Sequence, residues 1–185
     1  DDGSALLFTN VLASGPWASG DGGFAYLDGA DFTATDLVLD TPTGRNSAGV
    51  GFYVTGHSTL TLDASTLSGA EATGRSGGYA GGAIWLGDGS SAQIDASTFT
   101  GNVAYSGGAV FLQDAASATL RDVRFEDNAG DTYGGAIHAS DGAEVDCDGC
   151  IFTSNGAESG GAVYVATGST FADVDGTWTD NEASG

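Results

Sequence analysis

The residues of this sequence that could do chemistry are a cysteine pair, two Asp-rich turns and a scatter of carboxylates and arginines. Cys147 and Cys150 stand in Cys-Asp-Gly-Cys, a spacing open to a local disulfide, two buried free thiols or half of a zinc site. They are the only two cysteines, so no second pair completes a zinc site, and a disulfide is preferred over free thiols. That pairing suits an exported protein. Asp146-x-Asp148-Gly149 and Asp173-x-Asp175-Gly176 resemble the start of a calcium loop but lack the Glu at its twelfth position. Solvated turn chemistry is the plainer reading, with weak binding of a divalent cation such as Ca2+ left open. No other cofactor is implied.

Enzyme chemistry finds little support in the same residues. A glycosidase needs two carboxylates about 5 to 9.5 Å apart beside a sugar cleft, and twenty Asp residues make accidental pairs inevitable. A lyase needs a base and cations for an acidic sugar. Here there is no Lys, and Arg45, Arg75, Arg121 and Arg124 are scattered. The Gly pairs are not followed by Gly-Lys-Ser/Thr or by a helical pattern, which argues against a phosphate loop. We therefore expect a chain that is not an enzyme.

Charge narrows the partners further. With 25 acidic residues against 4 Arg, the formal net charge is -21, which repels nucleic acid and anionic lipid headgroups. No apolar run approaches the roughly 20 residues of a membrane-spanning helix, so no membrane insertion by this segment is expected. The absence of Met and the opening on Asp1 and Asp2 read as a processed chain or an excerpt, the processing being removal of an export signal. The expected location is extracellular or the cell surface.

The elements that must carry these residues follow from an internal repeat. Gly81-Gly82-Ala83-Ile84, Gly107-Gly108-Ala109-Val110, Gly134-Gly135-Ala136-Ile137 and Gly160-Gly161-Ala162-Val163 recur at spacings of 26, 27 and 26. An aromatic residue follows each first Gly by 18 positions (Phe99, Phe125, Phe152, Trp178), and three positions later comes Asn102, Asn128, Asn155 or Asn181. Length varies only between the Asn and the next Gly pair. The first 80 residues carry a worn version of the pattern, with units opening near Gly22 and Gly49 and a partial one over Ala5 to Asn10. Short β-type alternations separated by Gly, Asp and Ser, without helical periodicity, describe an all-β, single-stranded parallel β-helix. One domain over 1–185 is expected, with about seven rungs of about 26 residues, degenerate over 1–80 and regular over 81–185, three short strands to a rung and roughly 33 Å long.

Alternation assigns faces. Ile84 with Leu86, and their repeats, point inward, as do Ala92 with Ile94 and Leu120 with Cys147. Phe99, Phe125, Phe152 and Trp178 form an interior stack. The four Asn side chains form a structural ladder at one turn. Ala83 and Trp85 then point outward, giving an external column of Tyr26, Tyr53, Trp85, Phe111, His138 and Tyr164. Such a stripe is either an exposed contact surface for a glycan or another protein, or is covered by the loops that carry Tyr79, Tyr105 and Tyr133. His138 is read as a stacked ring and not as a catalyst. Thr66 with Ser68, Thr98 with Thr100 and Thr177 with Thr179 form a second outward array that raises ice binding as an alternative, interrupted by Arg124, Glu126 and Ile151.

The motif Gly-Gly-Ala-Ile/Val with Phe-x-x-Asn, four times in register over Gly81 to Asn181, resembles the repeat of the chlamydial-type polymorphic outer membrane proteins. The resemblance implies a right-handed β-helical surface protein with an adhesin-like role. Trp178 in place of Phe and the acidic excess depart from that pattern. The chain ends where another rung would begin, with no capping signal. Its expected partner is therefore itself, stacked end to end into a fibre, or a longer parent chain.

Overall fold

The computed structural model describes residues 4–73 and 80–185. Asp1, Asp2, Arg75 and Tyr79 lie outside them. Among the described residues there is no helix, and every strand pairing is parallel to the equivalent strand one turn away. The turn has four strands, not the three expected from sequence. In the regular part these are Ile84–Leu86, Ser91–Asp95, Thr98–Thr100 and Val103–Ser106. Repetition builds four walls, called here the first to fourth sheets, of 6, 7, 7 and 7 strands. The six strands of the first sheet mark six turns, and a seventh, incomplete turn precedes them with Ser4–Thr9, Leu12–Ser14 and Trp17–Ala18.

The fourth wall occupies what the sequence presents as a variable connection. Its inward column is Ala18, Gly44, Ala72, Ala104, Gly130 and Ala157, so it buries little apolar area and gives almost no hydrophobic signal. The extra residue of the unit that contains Ala129–Tyr133 lies inside this sheet. Val103 pairs with Ala129 and Ala104 with Gly130, but Ser106 pairs with Tyr133, and the register shifts between them. A bulge of this kind adds a residue to one strand and bends it without disturbing the other walls.

The Gly pairs serve two distinct needs. Gly81, Gly107, Gly134 and Gly160 all have φ of 60° to 69°, the left-handed region that an L side chain resists. The second Gly of each pair allows the rungs to approach: a Cβ on Gly108 would meet the Gly135 carbonyl oxygen. Ala83, expected outward beside Trp85, is buried in the main core instead, as are its equivalents Ala109, Ala136 and Ala162. The chain is still turning the corner there, since the strands begin one residue later, and period-2 alternation does not apply.

Inside, Phe99, Phe125 and Phe152 stack with centroids 5.1 and 5.0 Å apart, and Trp178 continues the column at 4.1 Å. The Asn column lies at the next corner. Asn102 Oδ1 accepts from Ala70 N–H at 2.9 Å, and Asn128 Oδ1 accepts both the backbone N–H of Asn102 at 3.1 Å and its Nδ2 at 2.9 Å. Asn128 repeats this with Asn155, and Asn155 with Asn181. Each Nδ2 also donates to the carbonyl of Leu67, Phe99, Phe125 or Phe152. Both columns fix the stacking register, because an amide offset by one rung height would leave buried N–H groups without acceptors.

Candidate functional site

The outer column stands on the first sheet, where register aligns Tyr26, Tyr53, Trp85, Phe111, His138 and Tyr164 on six successive rungs. Alternation placed these rings on the outside correctly. Their exposure is another matter. Trp85, Phe111 and His138 are each only 8% exposed, Tyr53 and Tyr164 are half-buried, and Tyr26 alone is open, at 56%. The expectation of a continuous exposed stripe is thus corrected: Ala80, Tyr105 and Tyr133, on the approach to the Gly pairs, wall in its middle.

Two geometries meet along the column. Tyr26, Tyr53 and Trp85 lie face to face, at 5.0 Å and 13° and then 4.2 Å and 1°. Phe111, His138 and Tyr164 are edge to face, at 4.9 Å and 89° and 5.1 Å and 87°. Tyr133, delivered by the bulge, adds contacts to His138 at 5.5 Å and to Tyr164 at 4.5 Å. Between the two blocks lies a cleft of about 280 Å³ lined by Ala80, Trp85, Tyr105, Ser106, Phe111, Gln113, Tyr133 and His138.

Burial sets the electrostatics of this wall. The Tyr53 hydroxyl is pushed up to about 12, first by loss of solvent and then by the negative charges of Asp21, Asp88 and Asp114. The His138 imidazole is pushed down to about 4 by burial, which outweighs the opposing field of Asp141. His138 is therefore neutral at physiological pH. Neither of its ring nitrogens has a hydrogen-bond partner among the described residues.

Cys147 and Cys150 are joined in a disulfide, with Cα atoms 5.8 Å apart, across the corner between the second and third sheets. Asp146 and Asp148 lie on the outward face of the second sheet, whereas Asp173 occupies the inward column that contains Cys147. Its Oδ2 accepts from Trp178 Nε1 at 2.8 Å. Among the described residues, no three of His, Cys, Asp and Glu converge as cation ligands. The Thr and Ser array runs over two rungs before Arg124, Glu126 and Ile151 break it. Sequence reasoning missed two serine ladders. Ser65 and Ser97 accept the N–H groups of Leu37 and Ser65, and Ser58 and Ser90 accept those of Ala30 and Ser58. For Ser65 and Ser97 the near-verbatim repeat of Asp63 to Gly69 at Asp95 to Gly101 was the available signal.

A family model described as right handed beta helix region matches residues 8–181. The chain belongs to that family. No curated protein and no solved structure matches this right-handed β-helix. The family match supports the solenoid and does not reach as far as the polymorphic outer membrane protein repeat.

Proposed function

We propose that this β-helix is a non-catalytic, adhesin-like rod of an exported protein, displayed outside the cell and making contact through the N-terminal end of its walls. A structural or surface module is what the fold fits. The observation that most favours the narrower reading is an apolar collar. Leu7, Leu12 and Trp17 on the first turn and Tyr26 on the second are 73%, 74%, 65% and 56% exposed, one on each of the four walls. Further along the rod, the second and third sheets are mostly Thr, Ser, Asp and Glu on the outside. An apolar girdle on an otherwise acidic rod is the feature expected of a contact surface. The residues that recur on every regular rung are occupied by packing and by backbone hydrogen bonds, which favours a structural module over an enzyme.

A fibre built by stacking copies tail to head is the second reading, and the ends weigh against it. Continuing the second sheet into another copy would set Asp173 of the last rung against Phe8 of the first, and burying a carboxylate there costs several kcal/mol. The test is adhesion of beads coated with the chain to cell surfaces and to glycan- and protein-coated plates, together with the mass of the dilute protein. The expected result is a monomer that adheres, and that loses adhesion when Leu7, Leu12, Trp17 and Tyr26 are changed to Ser while the fold is kept. Equal adhesion by that variant would sink the reading, and filaments in the wild type would favour the fibre.

A further inference from the structure

We propose that the cleft between Tyr105 and Tyr133 is a binding site for a small organic ammonium ion carrying at least one N–H. This inference is independent of the collar, which lies at the N-terminal end of the rod. Three observations converge on it. The first is composition: Trp85, Tyr105, Phe111 and Tyr133 present aromatic rings to one space, and no side chain that lines it carries a formal charge at neutral pH. Aromatic faces attract cations, and Trp does so most strongly. At about 280 Å³ the space is at the small end of ligand sites, suited to a short alkylammonium.

The second is His138 on the cleft wall, more than nine-tenths buried, with both ring nitrogens unpartnered among the described residues. A neutral imidazole keeps one lone pair, and a buried polar atom left unpaired is unfavourable. An ammonium N–H supplies the donor for that lone pair, while the ring's own N–H, on the other unpartnered nitrogen, needs an acceptor that an ammonium does not provide. Because burial holds His138 far below its ordinary pKa, the ring does not compete with the ligand by becoming a cation itself.

The third is the field. Asp88, Asp114 and Asp141 occupy left-handed turn positions at one edge of the first sheet, on the three rungs that carry Trp85, Phe111 and His138. These carboxylates do not line the cleft, but with a net charge of -21 they raise the local concentration of cations and disfavour anions. Tyr133 sits over His138 at 5.5 Å, so a ligand that reaches the imidazole must displace that ring.

The experiment is a titration of the folded chain with n-butylammonium chloride near neutral pH in about 0.15 M salt, where exposed charges are largely screened. It is followed by NMR of the His138 ring nitrogens and the Trp85 indole. Tetramethylammonium, butanol and a neutral methyl glycoside serve as comparators. We expect saturable shifts of both side chains with butylammonium, binding at least tenfold tighter than butanol or the glycoside, and at least fivefold tighter than tetramethylammonium. His138→Phe keeps a ring in place and should erase the preference for butylammonium over tetramethylammonium while leaving tetramethylammonium binding within about twofold. Trp85→Leu and Phe111→Leu, checked for folding, should each weaken butylammonium tenfold or more. Absence of saturable shifts in the wild type, or butanol or the glycoside binding as tightly as butylammonium, overturns the proposal. So does tetramethylammonium binding as tightly as butylammonium.

Discussion

The column at the corner between the third and fourth sheets is solved differently in the two halves of the rod. From rung to rung it reads Asn102, Asn128, Asn155 and Asn181 in the later part, and Pro16, Pro42 and Ala70 in the earlier part. Each Asn side chain accepts the backbone N–H of the residue one rung before it, the last such donor being Ala70. Proline has no N–H to satisfy. The two prolines of the chain thus stand in the two places where the next rung offers no amide acceptor. One half supplies the acceptor and the other removes the donor.

This equivalence can be broken directly. Asn128→Ala takes the acceptor from both the backbone N–H and the Nδ2 of Asn102 inside the wall, and should cost roughly 3–5 kcal/mol in urea unfolding. Pro42→Ala creates a buried N–H facing Ala70 and should cost about 1–2 kcal/mol. Ala70→Asn in the Pro42→Ala background extends the ladder by one rung and should recover about 1 kcal/mol or more. If the pair is merely additive, the account of the prolines is wrong.

The outer column gives a second contrast, between the parallel stack of Tyr26, Tyr53 and Trp85 and the edge-to-face block around His138. Only the second block contains a histidine, whose ring burial holds neutral below its ordinary pKa. The unfolded chain takes up a proton on His138 below about pH 6.5, the folded chain only below about 4. Stability therefore falls as pH drops through that window, by at most about 3 kcal/mol once the pH is below 4. His138→Phe should flatten that loss, so the stability of the wild type minus that of the variant should fall progressively toward pH 4. Carboxylate protonation acts on both chains and cancels in the difference. A constant gap across pH would show that His138 is hydrated in the folded state.

These contrasts also show what could be read from sequence. The Gly pairs, the Phe column and the Asn column were legible because each occupies one register position with a chemically narrow requirement. The fourth sheet was not, since its inward residues are Gly and Ala, too small to mark a period. The direction of the aromatic rings was legible from alternation in Ile84–Leu86. Their burial was not, because it depends on Tyr105 and Tyr133, which belong to that unrecognised sheet and to its bulge. The prolines carried a signal that only the register could decode.

The corner between the second and third sheets repeats the lesson at a smaller energy. In the earlier rungs Ser65 and Ser97 hold it through their Oγ atoms, which accept N–H groups from the preceding rung at 3.2 and 3.0 Å. In the later rungs the same column holds Val123 and then Cys150, tied to Cys147. The disulfide closes a short loop, so reduction should lower stability by only about 2 kcal/mol, read as a drop in the urea midpoint. Replacing Cys147 by Leu together with Cys150 by Ser recreates the arrangement of Leu62 with Ser65, since Cys147 shares its column with Leu120, Ile94 and Leu62. If the two devices are interchangeable, that double variant should be more stable than the reduced wild type and insensitive to reductant. A variant less stable than the reduced protein would mean that the corner depends on the covalent bond and not on the rung-to-rung acceptor that serine provides elsewhere.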